Sequence, residues 1–236
     1  MKNLMNGAGS LVLLAAILVL SACGRKEAQT TDAGPSAAAP AAPTAAPAPA
    51  ELSPEQAALL VRPHSPVLGA ANARVTVVEF LDPACEGCRA FAPVMKQILF
   101  LHPDDVRVVV RFAAFHQGSD EAIRLLAAAQ QQGKFDEALT ALFDRQDEWA
   151  SHHAPNIDAA WRIAADAGID IAKARRDARG AAANELLRID GEDIVTLQVA
   201  RTPTIFVNGR QPASFGPQQV LDLVAAEVAK PAAAAP

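Results

Sequence analysis

The sequence contains no tyrosine, and only 5% of its 236 residues are aromatic. A large aromatic recognition surface is therefore not expected. Lysine and arginine total 21 against 26 aspartate and glutamate residues, which gives a formal net charge of −5. The basic residues are scattered along the chain and form no stripe. Because nucleic-acid-binding proteins concentrate positive charge on one face, we expect no nucleic-acid partner.

Cysteine is scarce as well. The chain has three cysteines, Cys23, Cys85 and Cys88, so it contains one Cys-x-x-Cys pair and no second one. A tetrahedral zinc site needs about four ligands, and the nearest other candidates, His152 and His153, lie far along the chain in a polar stretch that predicts a surface position. We therefore expect no metal and no dissociable cofactor. Copper or zinc binding through the two thiols is the alternative from another functional class.

The N-terminal apolar stretch, Leu11–Leu20, is too short to span a bilayer. Together with Met1-Lys2 it predicts a signal peptide over residues 1–22. Leu20-Ser21-Ala22-Cys23 is similar to a bacterial lipobox, whose cysteine becomes lipidated; an ordinary signal peptide with a stray cysteine is the alternative. Gly24 after that cysteine resembles outer-membrane sorting. The expected location is the bacterial envelope, with Cys23 anchored in the lipid bilayer of the outer membrane in preference to the inner, facing the periplasm.

The segment that follows the predicted lipidation site is not expected to fold. Residues 35–50 contain only alanine, proline, serine and threonine, which cannot form a packed core. We interpret residues 23–50 as a disordered tether that reaches on the order of 80 Å if it is extended at ~3.1 Å per residue. Residues 51–230 are then expected to form one domain, followed by a disordered tail over 231–236.

The segment Cys85-Glu86-Gly87-Cys88 lies at a predicted strand-to-helix junction. The apolar run Val75–Phe80 predicts a buried strand, Asp82-Pro83 a turn, and Arg89–Leu101 a helix. Cys85 then lies at a helix N-terminus, where backbone N–H groups and the helix dipole stabilise a thiolate. This position favours a redox pair in which an exposed Cys85 attacks and a more buried Cys88 resolves the mixed disulfide.

A carboxylate within the predicted strand is a further candidate. Glu79 lies six residues before Cys85 in an otherwise apolar run, and we expect it under the active-site turn, close to Cys88. Burial would raise its pKa, and it would then take and return the proton of Cys88. A partly exposed carboxylate at the strand end is the alternative.

The candidate residues described above, together with two prolines further along the chain, resemble those of the thioredoxin superfamily, and within it those of the DsbA-like thiol–disulfide oxidoreductases. The matching residues are the redox pair Cys85 and Cys88, the buried acid Glu79, the helix-kinking Pro93, and Thr202-Pro203 as the cis-proline loop that faces the disulfide. The resemblance covers roughly residues 64–228. It implies protein thiols and disulfides as substrates, a membrane or soluble redox partner, and a monomer.

The centre of the motif differs from the Cys-Pro-His-Cys of the best-known members. Glu86 and Gly87 stand between the cysteines, and a carboxylate next to Cys85 opposes thiolate formation, with Arg89 offsetting part of its effect. A reductase- or isomerase-leaning exchanger is therefore an open alternative to an oxidant. His116, after the second predicted strand, is expected at the surface, with a position in the substrate groove as the alternative; Glu86 and Gly87 are also groove candidates.

The predicted fold class is α/β, a thioredoxin fold with βαβ and ββα units around a mixed sheet. Strand 75–80, the helix after Cys88 and strand 106–112 form the first unit. Strand 204–207, an Asn208-Gly209 turn, a return strand near Ser214-Phe215 and a helix over 217–228 form the second. Residues of about 118–199 show helical patterns and predict an all-helical insertion between the two units.

Overall fold

The computed structural model describes residues 52–231. The predicted signal peptide, Cys23, the tether up to residue 50 and residues 232–236 of the predicted tail lie outside the described residues. Within 52–231, no helix combines the length and apolar content needed to cross a bilayer.

The described residues fold around a four-stranded mixed sheet in the order β1-β3-β2-β4. The strands are β1 Val67–Gly69, β2 Val75–Leu81, β3 Val106–Phe112 and β4 Thr204–Val207. β2 pairs in parallel with β3 and antiparallel with β4, while β1 pairs antiparallel with β3. Six of the seven β2 residues are buried, because β2 is central and both its faces are covered. This burial explains the continuous apolar run in the sequence.

Helices connect and cover this sheet. They are α1 Pro54–Ala58, α2 Glu86–Leu101, α3 Ser119–Gln130, α4 Phe135–Asp144, α5 Gln146–Trp149, α6 Ile157–Asp166, α7 Ile171–Asp177, α8 Ala181–Thr196 and α9 Pro217–Val228. α2 connects the parallel strands β2 and β3, as the βαβ prediction requires. α3 to α8 lie between β3 and β4, so the helical insertion is confirmed.

Alternation along β2 places its side chains on two faces of the sheet. Val77 and Leu81 belong to the large core that includes residues of α2 and α9, whereas Val78 and Phe80 belong to a smaller core on the other face. Glu79 shares the face of Val77 and Leu81 because side chains two apart in a strand point the same way. The acid is therefore under α2.

The smaller core adjoins a buried cluster of charged side chains. Arg111 of β3 is fully buried and donates two hydrogen bonds, of 2.7 and 3.0 Å, to Asp190 of α8. It also reaches Asp193 at 2.6 Å. Asp193 in turn accepts two hydrogen bonds from Arg62, and Asp190 contacts His64 at 2.7 Å. The cluster fastens both α8 and the segment before β1 to the sheet.

Four elements differ from the sequence-based expectation. The helix after the cysteine pair begins at Glu86 and not at Arg89, and the short elements α1 and β1 were not predicted. The return strand predicted near Ser214-Phe215 is not formed. After the Asn208-Gly209 turn the chain makes one bridge, Val207 with Arg210, and Pro212 follows, which has no N–H to continue a ladder.

Candidate active site

The two cysteines lie where β2 passes into α2. Cys85 is the N-cap residue of α2, with φ −79° and ψ 121°, and Cys88 lies in the first turn. Both are free thiols, with Cys88 0% and Cys85 8% exposed. The order of burial is as predicted, but Cys85 is less open than expected. The loop before β4 covers it: the Cys85 Sγ lies 3.4 Å from the Thr202 carbonyl oxygen, to which it donates in the thiol form.

The surroundings separate the two thiols chemically. A hydrogen bond from the Cys88 thiol is the main cause that lowers the pKa of Cys85 to about 5. Burial opposes this shift, whereas Thr202 and the backbone amides of Cys88 and Gly87 assist it. The same hydrogen bond, together with burial and the negative charge of Glu79, raises the pKa of Cys88 above its usual range. At neutral pH the first sulfur is a thiolate and the second a thiol. Arg89 is not a counter-charge here, because it pairs with Asp147 at 2.8 Å.

Glu79 is buried beneath the pair, with 3% of its surface exposed. Burial, and then the negative charge of Cys85, raises the pKa of Glu79 to about 8. Its Oε1 has no hydrogen-bond partner within residues 52–231. Glu79 also lines a cavity of about 480 Å³ between the sheet, α2 and α4. A neutral acid next to a thiol with a raised pKa has the arrangement needed for proton exchange.

Thr202 and Pro203 face the cysteines from the opposite side. The Thr202–Pro203 peptide bond is cis, as the resemblance implied. The Thr202 Oγ1 is buried and has no other hydrogen-bond partner in the described part of the chain, and the Thr202 side chain helps to lower the pKa of Cys85. A Cβ added to Gly87 would lie 3.3 Å from the Pro203 Cδ and 3.4 Å from the Cys85 Sγ. Gly87 therefore permits the close approach of α2 and this loop.

Asp82 is a site residue that sequence reasoning read as a turn signal and missed as a functional group. Its carboxylate is fully buried. Oδ1 accepts from the Ala84 N–H at 2.8 Å and the Ser119 hydroxyl at 2.5 Å. Oδ2 accepts from the Phe115 and His116 N–H groups at 2.8 and 2.9 Å. An acid directly after an apolar strand was the signal available in the sequence.

His116 is not the free surface histidine expected from the sequence. Its Nδ1 lies 2.8 Å from the Asp82 Oδ2, and its side chain is 28% exposed. Burial works against protonation, but the hydrogen bond and charge of Asp82, followed by the negative charges of Cys85 and Glu86, outweigh it and raise the pKa of His116. The imidazole thus belongs to the active-site end of the molecule.

His152 reaches the site from the loop between α5 and α6. It is exposed, as predicted, but its Nε2 lies 2.7 Å from the Glu86 Oε1, although 66 positions separate the two residues. Its ring centroid is 5.8 Å from that of His116. The Glu86 N–H and then His152, opposed by burial, lower the pKa of Glu86. No pattern in the sequence joins positions this far apart.

Other buried groups complete the frame around Cys85. Gln146 of α5, also missed in the sequence, donates to the carbonyl oxygens of Pro83 at 2.9 Å and Cys85 at 3.1 Å. Within residues 52–231 no group of three or more His, Cys, Asp or Glu side chains is arranged to hold a metal ion.

A family model described as thioredoxin matches residues 62–225. Among solved structures, a thioredoxin-like oxidoreductase from Silicibacter pomeroyi DSS-3 is 28% identical, with a TM-score of 0.63 over 74% of this chain and 97% of that one. Oxidised BdbD from Bacillus subtilis is 22% identical, with a TM-score of 0.62 over 70% and 93%. Wolbachia pipientis alpha-DsbA1 is 16% identical, with a TM-score of 0.64 over 73% and 95%. The last two share the fold.

Curated relatives carry the name of an ion transporter. The Na(+)/H(+) antiporter NhaA 1 of Mycolicibacterium vanbaalenii is 33% identical over 161 residues, which are 64% of this chain and 25% of that protein. The antiporter NhaA of Herminiimonas arsenicoxydans is 30% identical over 61% of this chain and 22% of its own length. The chain thus spans about a quarter of these relatives. Because the match is partial, antiport is not carried over to this chain.

Proposed function

The chain belongs to the thioredoxin family, and from this premise we propose that it is a thiol–disulfide oxidoreductase that exchanges disulfides with protein thiols through Cys85 and Cys88. The observation that carries the proposal is the chemical division of the pair. The pKa of Cys85 is lowered to about 5, whereas that of the buried Cys88 is raised. Thiol–disulfide exchange needs one sulfur that attacks and leaves readily and a second that resolves the intermediate.

In the oxidising direction, a substrate thiolate attacks the Sγ of Cys85 in the Cys85–Cys88 disulfide. The disulfide bond breaks, its electron pair passes to the Cys88 sulfur, and a mixed disulfide joins Cys85 to the substrate. A second substrate thiolate then attacks the substrate sulfur of that bond, and Cys85 leaves as a thiolate. The substrate loses two electrons and the pair gains two. The reducing direction is the reverse.

Glu79 supplies the proton that this sequence requires at Cys88. The hydrogen bond to Cys85 and burial both raise the pKa of Cys88, so a thiolate released there takes up a proton readily. A carboxylic acid with a pKa of about 8 is largely protonated at neutral pH, so it gives its proton to Cys88 as the disulfide opens. In the reverse reaction it takes the proton back.

The stabilised thiolate also bears on direction. Reference thiolate pKa values are about 7 in thioredoxin and about 3.5 in the strong oxidant DsbA. The value of about 5 for Cys85 lies between them. Because a more stable thiolate favours the reduced form, we propose an oxidant of intermediate strength.

A trapping experiment tests the function. Purified Cys88→Ser, mixed with a protein disulfide, is expected to form a long-lived mixed disulfide through Cys85, seen as a shifted band on a non-reducing gel. Cys85→Ser is expected to form none. Equal trapping by both variants would mean that the roles are wrong. Absence of trapping together with absence of insulin reduction by the wild-type protein would exclude the proposed function.

Location and anchoring are part of the same proposal. The lipobox-like Leu20-Ser21-Ala22-Cys23 supports lipidation at Cys23 and a position in the bacterial envelope facing the periplasm. Labelling cells with a fatty-acid analogue is expected to mark the wild-type chain and not Cys23→Ala. Label on neither chain would remove the anchor from the proposal while leaving the thiol chemistry intact.

A further inference from the structure

The charges around Cys85 include a histidine that lies outside the cysteine motif. His116 comes from the loop between β3 and α3, and two hydrogen bonds to Asp82 fix it: the backbone N–H at 2.9 Å and Nδ1 at 2.8 Å. Asp82 accepts three further hydrogen bonds, so both of its oxygens are occupied as acceptors. Nδ1 therefore carries a proton and donates it to the carboxylate. Any second proton on the ring sits on Nε2.

The position of Asp82 links this histidine to the redox pair. Asp82 directly follows β2, three residues before Cys85, and its own backbone N–H points at the Cys88 Sγ at 3.4 Å. One buried residue thus holds His116 with its side chain and contacts the redox pair with its backbone. Because these hydrogen bonds already fix the His116 ring, the ring loses little conformational entropy by remaining near the two cysteines.

The groups that face His116 carry mostly negative charge. Asp82 faces it from the turn after β2, Cys85 and Glu86 face it from the start of α2, and His152 faces it from the loop after α5. His152 is occupied with Glu86 at 2.7 Å. The carboxylate between the cysteines therefore has its own hydrogen-bond partner, and the negative charges of both Cys85 and Glu86 favour the protonated form of His116.

We propose that His116, held by Asp82, is a positioning residue whose imidazolium supplies a counter-charge to the Cys85 thiolate from outside the Cys-x-x-Cys motif. The inference rests on the proposed function, because it concerns the same nucleophile. From a distant position in the sequence, His116 thereby supplies the positive charge that a histidine between the two cysteines would supply. The hydrogen bond from Cys88 is the main influence that lowers the pKa of Cys85, and Thr202 assists it, so we expect His116 to add a smaller effect.

The first test measures the titration of Cys85 by thiolate absorbance in the reduced protein. His116→Asn keeps a side-chain N–H for Asp82 but cannot become positive. We expect it to raise the measured pKa of Cys85 by about 0.5 to 1 pH unit, below the 1–3 units of a charge in direct contact. His153→Asn, a change at an exposed histidine next to His152, is the matched control and is expected to leave the titration unchanged.

The second test separates a charge effect from a structural one. In the wild-type protein His116 loses its proton at a pH above the ordinary range of a histidine, because its pKa is raised, and the Cys85 thiolate then becomes more basic and more nucleophilic. With a Brønsted coefficient of ~0.4–0.5, the rate of Cys85 alkylation by iodoacetamide should rise a second time by about two- to threefold. His116→Asn should show one plateau. Both profiles are recorded in a Glu79→Gln background, because Glu79 titrates at about 8.

The outcomes distinguish this inference from the proposed function. An unchanged Cys85 pKa and an unchanged second rise in folded His116→Asn would overturn the role of His116. If Cys88→Ser still traps substrates, the oxidoreductase proposal stands without it. If His116→Asn fails to fold, His116→Gln is measured in its place, and the same two readouts apply.

Discussion

At the residue scale, two buried carboxylates three positions apart behave in opposite ways. Asp82 has a hydrogen-bond donor for each oxygen, so its charge is compensated and it serves as a fixed acceptor. Glu79 is equally buried, but one of its oxygens has no partner within residues 52–231. Burial without compensation favours the neutral form of an acid. Asp82 is therefore structural and electrostatic, whereas Glu79 is able to exchange a proton.

Glu79→Gln is expected to slow disulfide exchange and to stabilise the fold at alkaline pH. Burial raises the pKa of Glu79 from 4.5 to about 8, so the native state binds this proton more tightly than the unfolded chain does. The stability of the wild-type protein therefore falls as pH rises between those values. At pH 8 the variant should exceed the wild type by about 2–4 kcal/mol, and the difference should vanish below pH 4.5. Urea unfolding across this pH range measures it.

Glu137→Gln provides the control for that prediction, because Glu137 is an exposed glutamate on α4. It should follow the wild-type stability at every pH. If Glu79→Gln exchanges disulfides at the wild-type rate, the Glu79 carboxylate takes no part in the exchange. A stability difference that does not vary with pH would show that Glu79 is not buried as a neutral acid.

Glu86→His is expected to make the protein a stronger oxidant. The Glu86 carboxylate follows Cys85 directly, and its negative charge opposes the thiolate even though His152 partly compensates it. Replacing it with histidine should lower the measured pKa of Cys85 by about 0.5–1 unit and raise the reduction potential by about 15–30 mV. A glutathione redox titration measures the change, with Glu137→His as the control. A potential that does not move would show that His152 already neutralises Glu86.

At the element scale, the strands and helices that could be predicted from the sequence were those with long and regular apolar patterns. β2, β3 and α2 carry long apolar patterns and lie where the sequence placed them. β1 has three residues, too few for any periodicity to emerge, and it forms because Val67 finds Val109 of β3 as a partner. The strand expected near Ser214-Phe215 is absent for a related reason. Phe215 alone favours a strand there, and it is outweighed by Pro212 and by the packing of the Phe215 ring on that of Phe91, with ring centroids 5.1 Å apart.

The candidate site was predictable where its parts were adjacent in sequence or, as with Thr202-Pro203, where the family resemblance placed them. Cys85, Cys88 and Glu79 share one strand–helix segment, so local pattern was sufficient to bring them together. His116 and His152 join the site through tertiary contacts with Asp82 and Glu86. A contact between residues so far apart in the chain leaves no periodic pattern in the sequence.

Asp190→Ala is expected to destabilise the fold more than any exposed change on the same helix. The Asp190 carboxylate is 1% exposed and accepts hydrogen bonds from Arg111 and from the Phe112 N–H. Its loss leaves the buried Arg111 with Asp193 as its remaining carboxylate partner, and breaking such a pair costs about 3–5 kcal/mol. Urea unfolding measures this loss. Glu192→Ala, on the exposed face of α8, should cost less than about 1 kcal/mol; equal losses would show that the buried cluster contributes little.

At the scale of the whole molecule, the Cys85 thiolate couples redox state to stability. The fold lowers the pKa of Cys85 from 9.0 to about 5, so the reduced protein gains stability as pH rises between those values and loses it as pH falls toward 5. The oxidised protein has no thiol to titrate at this position. The Tm of the reduced form should therefore rise relative to the oxidised form by about 3–5 °C per pH unit in this window.

Differential scanning calorimetry of both redox forms from pH 5 to 8 measures this slope. The oxidised form and the Cys85→Ser variant serve as controls, since neither contains the thiolate and both should lack the rise. A reduced protein whose Tm moves in parallel with that of the oxidised form would show that the thiolate is not stabilised by the fold.

Gly87 has an evolutionary consequence. A Cβ at this position would lie 3.3 Å from the Pro203 Cδ, which is tighter than ordinary side-chain contacts, and 3.4 Å from the Cys85 sulfur. A mutation that adds a side chain there must push the proline loop away from the nucleophile, so divergence at position 87 changes the shape of the site before it changes the chemistry. Position 86 carries an exposed side chain and has no such constraint. Substitutions at position 86 can therefore change the reduction potential of this protein during evolution, while the packing around Gly87 stays the same.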